Sequence, residues 1–103
     1  MNKHEHFIDF AAINRAALAR LPELCLQWLP DGRRIGREFV ARNPRRADRH
    51  AGSFRINLKT GRWADFATDA RGGDVVSLVA YLFEVRQSAA ARRLADLLGV
   101  PHG

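Results

Sequence analysis

Cysteine is almost absent from this sequence. Cys25 stands alone, so no disulfide can close within the chain. Its neighbours Leu24, Trp28 and Leu29 are apolar, which places the thiol in a core rather than at a reactive surface. Long apolar runs are missing as well, and no stretch approaches the ~20 residues that span a bilayer. The opening Met1-Asn2-Lys3-His4-Glu5-His6 lacks the charged-then-apolar layout of a secretory signal. These absences point to a reducing, cytoplasmic compartment and away from a membrane. Acidic residues are scarce beside basic ones: 11 Asp and Glu face 17 Lys and Arg, for a formal net charge of +6. Such a surplus reflects a polyanionic partner or a solubility margin. Nucleic acid is the commonest such partner, with membranes and acidic proteins as alternatives.

Catalytic constellations are lacking too. Ser53, Ser77 and Ser88 have no base at a recognisable spacing. Gly72-Gly73 is not followed by the lysine and hydroxyl residue of a phosphate loop. His50 is a lone histidine in a basic loop, with no cysteine or second histidine at ligand spacing. Asp65, Asp69 and Asp74 are the only clustered carboxylates, and a magnesium-dependent nuclease built on them is the one enzymatic alternative. Asp74 is better explained as a helix cap and Asp65 as a strand residue beside arginine. The expectation is a non-enzymatic chain without a cofactor.

What is present reads as one domain. The chain has 103 residues, 47% of them hydrophobic, enough for a modest core. Residues 1–13 read as a flexible lead-in, 14–100 as the domain and 101–103 as a tail. Asn14 is a plausible N-cap, and Leu18, Leu21, Cys25, Trp28 and Leu29 fall along one helical face. Pro22 suits the first turn of a second helical segment, and Pro30-Asp31-Gly32 stops it. A short β-compatible stretch, Arg37 to Arg42, leads into an arginine-rich loop from Asn43 to Gly52. Ser53 to Leu58 alternates polar and apolar, Lys59-Thr60-Gly61 turns, and Arg62 to Ala67 returns as the partner strand. Gly72-Gly73-Asp74 opens an apolar helix from Val75 to Phe83. Ser88 then caps a last helix striped by Ala91, Leu94, Ala95 and Leu98, which Gly99 and Pro101 end. The expected fold is α+β: a small antiparallel sheet of about three strands packed with N-terminal and C-terminal helices.

Positive charge concentrates on the strands and their loops. Arg33, Arg34, Arg37, Arg42, Arg45, Arg46, Arg49, Arg55, Lys59 and Arg62 are opposed there only by Glu38 and Asp48. Arginine predominates, and its planar fork suits phosphate oxygens. Phe54, Ile56 and Leu58 should face the core, leaving Arg55 and Asn57 toward solvent. Trp63 beside the arginines offers a ring on which a base stacks. The expected nucleic-acid contacts are Arg37, Arg42, Arg45, Arg46, Arg49, Arg55, Lys59, Arg62 and Trp63. The competing account makes Trp63 and Phe66 core residues and the arginines mere solvation of a sheet face.

The order of these features resembles the zinc ribbon of bacterial, phage and plasmid DNA primases. The resemblance rests on Gly36-Arg37-Glu38-Phe39-Val40, Asn43-Pro44, Gly52-Ser53-Phe54-Arg55-Ile56 and Trp63-Ala64-Asp65-Phe66. It continues through Gly72-Gly73-Asp74-Val75-Val76-Ser77-Leu78 and closes on Leu94-Ala95-Asp96-Leu97-Leu98-Gly99, running from about Leu18 to Val100. The ligand positions depart from the pattern. Asn43 stands where the first cysteine would be, Arg46 or His50 near the histidine, and Asp65 and Thr68 near the paired cysteines. A structural zinc takes about four nitrogen or sulfur ligands in a tetrahedron. The resemblance therefore implies a metal-free ribbon whose fold relies on packing, with Trp63 and Phe66 beside Phe54 and Phe39 as the candidates. It implies an accessory module of a primase or mobile-element replication system that meets single-stranded DNA, or RNA, with its sheet. A replicative polymerase, primase or helicase would be its protein partner. The alternative is an adaptor in a replication complex that does not touch DNA, docking through exposed apolar positions such as Val85 or Leu97.

Overall fold

The computed structural model describes residues 7–46 and 52–102. Two short helices open the domain, α1 (Phe10–Leu18) and α2 (Leu21–Trp28). Helix α1 begins four residues before the Asn14 cap expected from sequence, because the Asp9 carboxylate accepts the Ala12 N–H at 3.0 Å. Residues Phe10 to Ile13, read as lead-in, form its first turn, and Ile13 is fully buried. Asn14 caps a different helix: its Oδ1 accepts the Val76 N–H at 2.9 Å across the core. The chain breaks at Ala19-Arg20, and Pro22 then sits in the first turn of α2, where its missing N–H costs little. The Pro30-Asp31-Gly32 turn follows, with the Gly32 N–H donating to the Leu29 carbonyl at 2.9 Å.

The sheet has five antiparallel strands in sequential order, not about three: β1 (Arg33–Ile35), β2 (Glu38–Ala41), β3 (Phe54–Asn57), β4 (Trp63–Asp65) and β5 (Arg71–Gly72). The two unforeseen strands are the edges. All of β1 is exposed and β5 has two residues, one a glycine, so neither displays a two-residue period. The β3–β4 hairpin falls inside the expected limits. Its turn closes through the Gly61 N–H on the Asn57 carbonyl at 2.8 Å, with Gly61 at φ 82°, a conformation that disfavours side chains.

Two helices complete the α+β fold: α3 (Val75–Phe83) and α4 (Gln87–Leu98). Asp74 and Ser77 form a reciprocal capping box at the start of α3. Helix α4 starts at Gln87 without a side-chain cap, so Ser88 lies inside its first turn, and Gly99 ends it at φ 71°. No helix among the described residues is long and apolar enough to cross a membrane.

One face of the sheet meets the helices. Phe39, Phe54, Ile56 and Trp63 pack with Ile13, Leu21, Val76, Leu78 and Leu94 in one buried cluster. Trp63 lies 4.8 Å from Tyr81 and 6.0 Å from Phe54, centroid to centroid, and its Nε1–H donates to Ser77 Oγ at 2.9 Å. That bond passes over Gly72, where a Cβ would collide with the Trp63 Nε1 and the Ser77 hydroxyl. Phe39 and Phe54 are buried in this cluster, whereas Phe66, named beside them as a packing candidate, is 73% exposed. Cys25 is buried on α2, and burial pushes its thiol up to about 12.

Candidate functional site

The sheet's other face is open, and register decides what it carries. Residues paired across antiparallel strands share a face. Arg33 pairs with Val40, Val40 with Arg55, Arg55 with Ala64, and Ala64 with Arg71. One line of side chains, Arg33–Val40–Arg55–Ala64–Arg71, therefore crosses all five strands on the solvent side. Trp63, Ile56, Phe39 and Gly72 form the next line, on the core side. Arginines thus alternate with a valine and an alanine in neighbouring strands ~5 Å apart.

Ala64 is the centre of this arrangement. Arg55 and Arg71 flank it on the adjacent strands, and Arg62 and Phe66 flank it along its own chain, two residues each way. Its single methyl leaves a groove of about 460 Å³ lined by Arg55, Arg62, Ala64, Phe66, Arg71 and the Gly72-Gly73 backbone, with Glu38 and Asn57 at one end. Arg55 is held in place: its Nη1 lies 3.0 Å from Glu38 Oε1 and its Nε–H donates to the Gly52 carbonyl at 2.9 Å. Arg62 and Arg71 are exposed and have no ion pair among the described residues.

The candidates named from sequence divide by where the structure places them. Arg55 and Arg62 lie on the open face; Arg37, Arg42 and Lys59 are exposed in the turns and ends around the sheet. Arg45 and Arg46 serve the fold. The Arg45 guanidinium lies 4.6 Å over the Tyr81 ring and 3.4 Å from Glu84, at the end of α3. Arg46 pairs with Asp65. Trp63, expected to be exposed, borders the groove but is only 5% exposed, because its side of β4 faces α3. Arg49 and His50 lie outside the described residues. Sequence reasoning missed Arg33, Arg71 and Phe66. The signal for Phe66 was the strand period itself: if Trp63 and Asp65 point inward, Arg62, Ala64 and Phe66 point outward.

Behind the sheet's far corner is a buried polar cluster. Asp65 is 1% exposed, and its Oδ2 lies 2.8 Å from both Asn43 Nδ2 and Arg46 Nε. Its Oδ1 accepts the Ala67 N–H at 2.9 Å. Asn43, fully buried, also contacts the Tyr81 hydroxyl at 2.7 Å, and its Oδ1 accepts the Arg45 N–H at 2.9 Å. Burial by itself raises the Asp65 carboxyl. Hydrogen bonds from Asn43 and the Ala67 N–H, the Arg46 charge and Ser53 outweigh it, so Asp65 is held below the ordinary range. The cluster fastens the chain after β2 to the end of β4. Asp74 is used as a helix cap and Asp69 is exposed; among the described residues no three His, Cys, Asp or Glu side chains group as metal ligands.

No protein-family model, curated protein or solved structure matches the chain.

Proposed function

We propose that this chain is a nucleic-acid-binding module that holds single-stranded DNA, or chemically similar RNA, on the open face of its sheet. The observation that carries the reading is the Arg33–Val40–Arg55–Ala64–Arg71 line, with Arg62 beside it. Cations on one face meet the spacing of phosphates, and the small Ala64 between Arg55 and Arg71 lets the strand approach. The module belongs to a primase or mobile-element replication system, and any catalysis lies in another domain or partner. Support for that assignment comes from the convergence of Asn43, Arg46 and Asp65 within 2.8 Å contacts. By the resemblance, Asn43 stands where the first ligand cysteine of the primase ribbon would be, Asp65 near a paired cysteine and Arg46 or His50 near the histidine, so a charged hydrogen-bonded cluster takes over the fastening. A second reading, an adaptor without DNA contact, is favoured by a separate hollow lined by Trp28, Val79, Phe83, Leu94 and Leu97 with Gln27 and Arg93, where Phe83 and Leu97 are 43% and 46% exposed.

Fluorescence anisotropy with an unstructured single strand at two salt concentrations, with duplex as control, separates the two. The module predicts binding that favours the single strand and weakens steeply with salt. No binding at low salt would leave the adaptor.

A further inference from the structure

We infer that Phe66 is a base-stacking platform and that Ala64 floors the seat of one nucleotide, so the face grips a strand by a base as well as by phosphates. The inference deepens the nucleic-acid reading and rests on it. Phe66 is 73% exposed, the highest value of any large apolar side chain among the described residues. Phe83, also exposed, makes an edge contact with Trp28 and lies under Arg93, whereas Phe66 has no ring or cation contact among the described residues. A large ring left in water with nothing among the described residues to cover it marks a contact surface.

The surroundings of the ring select the occupant. Ala64 lies two residues from Phe66 on the same face, and Arg55, Arg62 and Arg71 enclose the remaining sides. Along a strand, two residues span ~6.8 Å, so Phe66 stands over Ala64 at about the spacing of one base, and Arg62 lies the same distance beyond Ala64. An apolar peptide or an acyl chain gains nothing from three guanidinium groups. A ligand that repeats a flat π-face and an anion at every unit matches both features, and a single-stranded nucleic acid is that ligand. Arg62 and Arg71, lacking internal partners among the described residues, take the flanking phosphates. Arg55, tethered by Glu38 and Gly52, is a fixed wall of the seat.

The test compares an oligothymidylate with an abasic strand of equal length, which carries the same charge without bases, for wild type, Phe66→Ala, Phe66→Trp and Ala64→Leu. Wild type should prefer the oligothymidylate. Phe66→Ala should weaken that complex roughly 5- to 150-fold, the usual range for a lost stacking ring, while leaving abasic binding and the salt slope unchanged. Phe66→Trp should restore the preference, and Ala64→Leu, which fills the seat, should abolish it. Unchanged oligothymidylate binding by Phe66→Ala, or an equal loss on both strands, would overturn the inference while leaving the arginine face intact. Failure of wild type to bind either strand would instead overturn the nucleic-acid reading itself. Thermal melts of the variants should match wild type, since both positions lie on the open face.

Discussion

Removing the Asp65 carboxylate should cost the domain a large part of its stability, although no core hydrophobe is touched. In Asp65→Ala the Ala67 N–H loses its acceptor, the buried Asn43 Nδ2 loses one of its partners, and Arg46 loses the carboxylate 2.8 Å from its Nε. Breaking a buried pair by removing one partner costs about 3–5 kcal/mol. The Arg46 side chain is 34% exposed and can regain water, which places the loss near the lower end, about 3 kcal/mol. At ~4–8 °C per kcal/mol for a domain of this size, the Tm should fall by about 12–24 °C. Circular dichroism melts at pH 7 measure it directly, and a fall of less than about 4 °C would refute the role given to the cluster. The pH dependence supplies a second reading. A carboxyl held below its ordinary value contributes fully above the unfolded-state pKa near ~3.9, and its contribution is lost as pH falls through the lower folded value. The Tm gap between wild type and Asp65→Asn should therefore be constant near neutrality and close progressively below about pH 4.

Two further outcomes test the packing account. Gly72→Ala should destabilise the domain by about 1–3 kcal/mol in urea unfolding, because the new methyl would intrude on the Trp63–Ser77 hydrogen bond. Gly73→Ala, with open space around it, is the control and should be near neutral. Exhaustive chelation should leave the Tm within about 1 °C, whereas a domain folded around structural zinc would lose ~10 kcal/mol or more; a large fall would contradict the metal-free reading.

Much of the fold was legible because its signals are local. The Gly72-Gly73-Asp74 start of α3, the Gly99 stop of α4 and the alternation of Ser53 to Leu58 each act within a few residues. The edge strands were not legible, since β1 and β5 exist by pairing with β2 and β4 rather than by any pattern of their own. Asn14 looked like a cap and is one, but for a helix 62 residues away, a partner that no local rule identifies. The site followed the same division. That arginines gather on the sheet was visible in the sequence, but which of them face outward depends on register. Register turned Trp63 inward onto Ser77, exposed Phe66, and brought Arg33 and Arg71 into line with Arg55. The contacts of Arg45 and Arg46 were not legible for a related reason: their partners, Tyr81, Glu84 and Asp65, are distant in sequence.

The central claim is that the open sheet face, not basicity in general, binds a single strand. The direct measurement is a salt titration of oligothymidylate binding by Arg62→Ala/Arg71→Ala beside Arg15→Ala/Arg92→Ala, a pair with the same loss of charge on α1 and α4. The face variant should bind more weakly at every salt concentration, and losing two phosphate contacts should flatten its log–log salt slope by about 1.4. The helix variant should keep the wild-type slope. Equal losses from the two variants, or none from the face pair, would contradict the account.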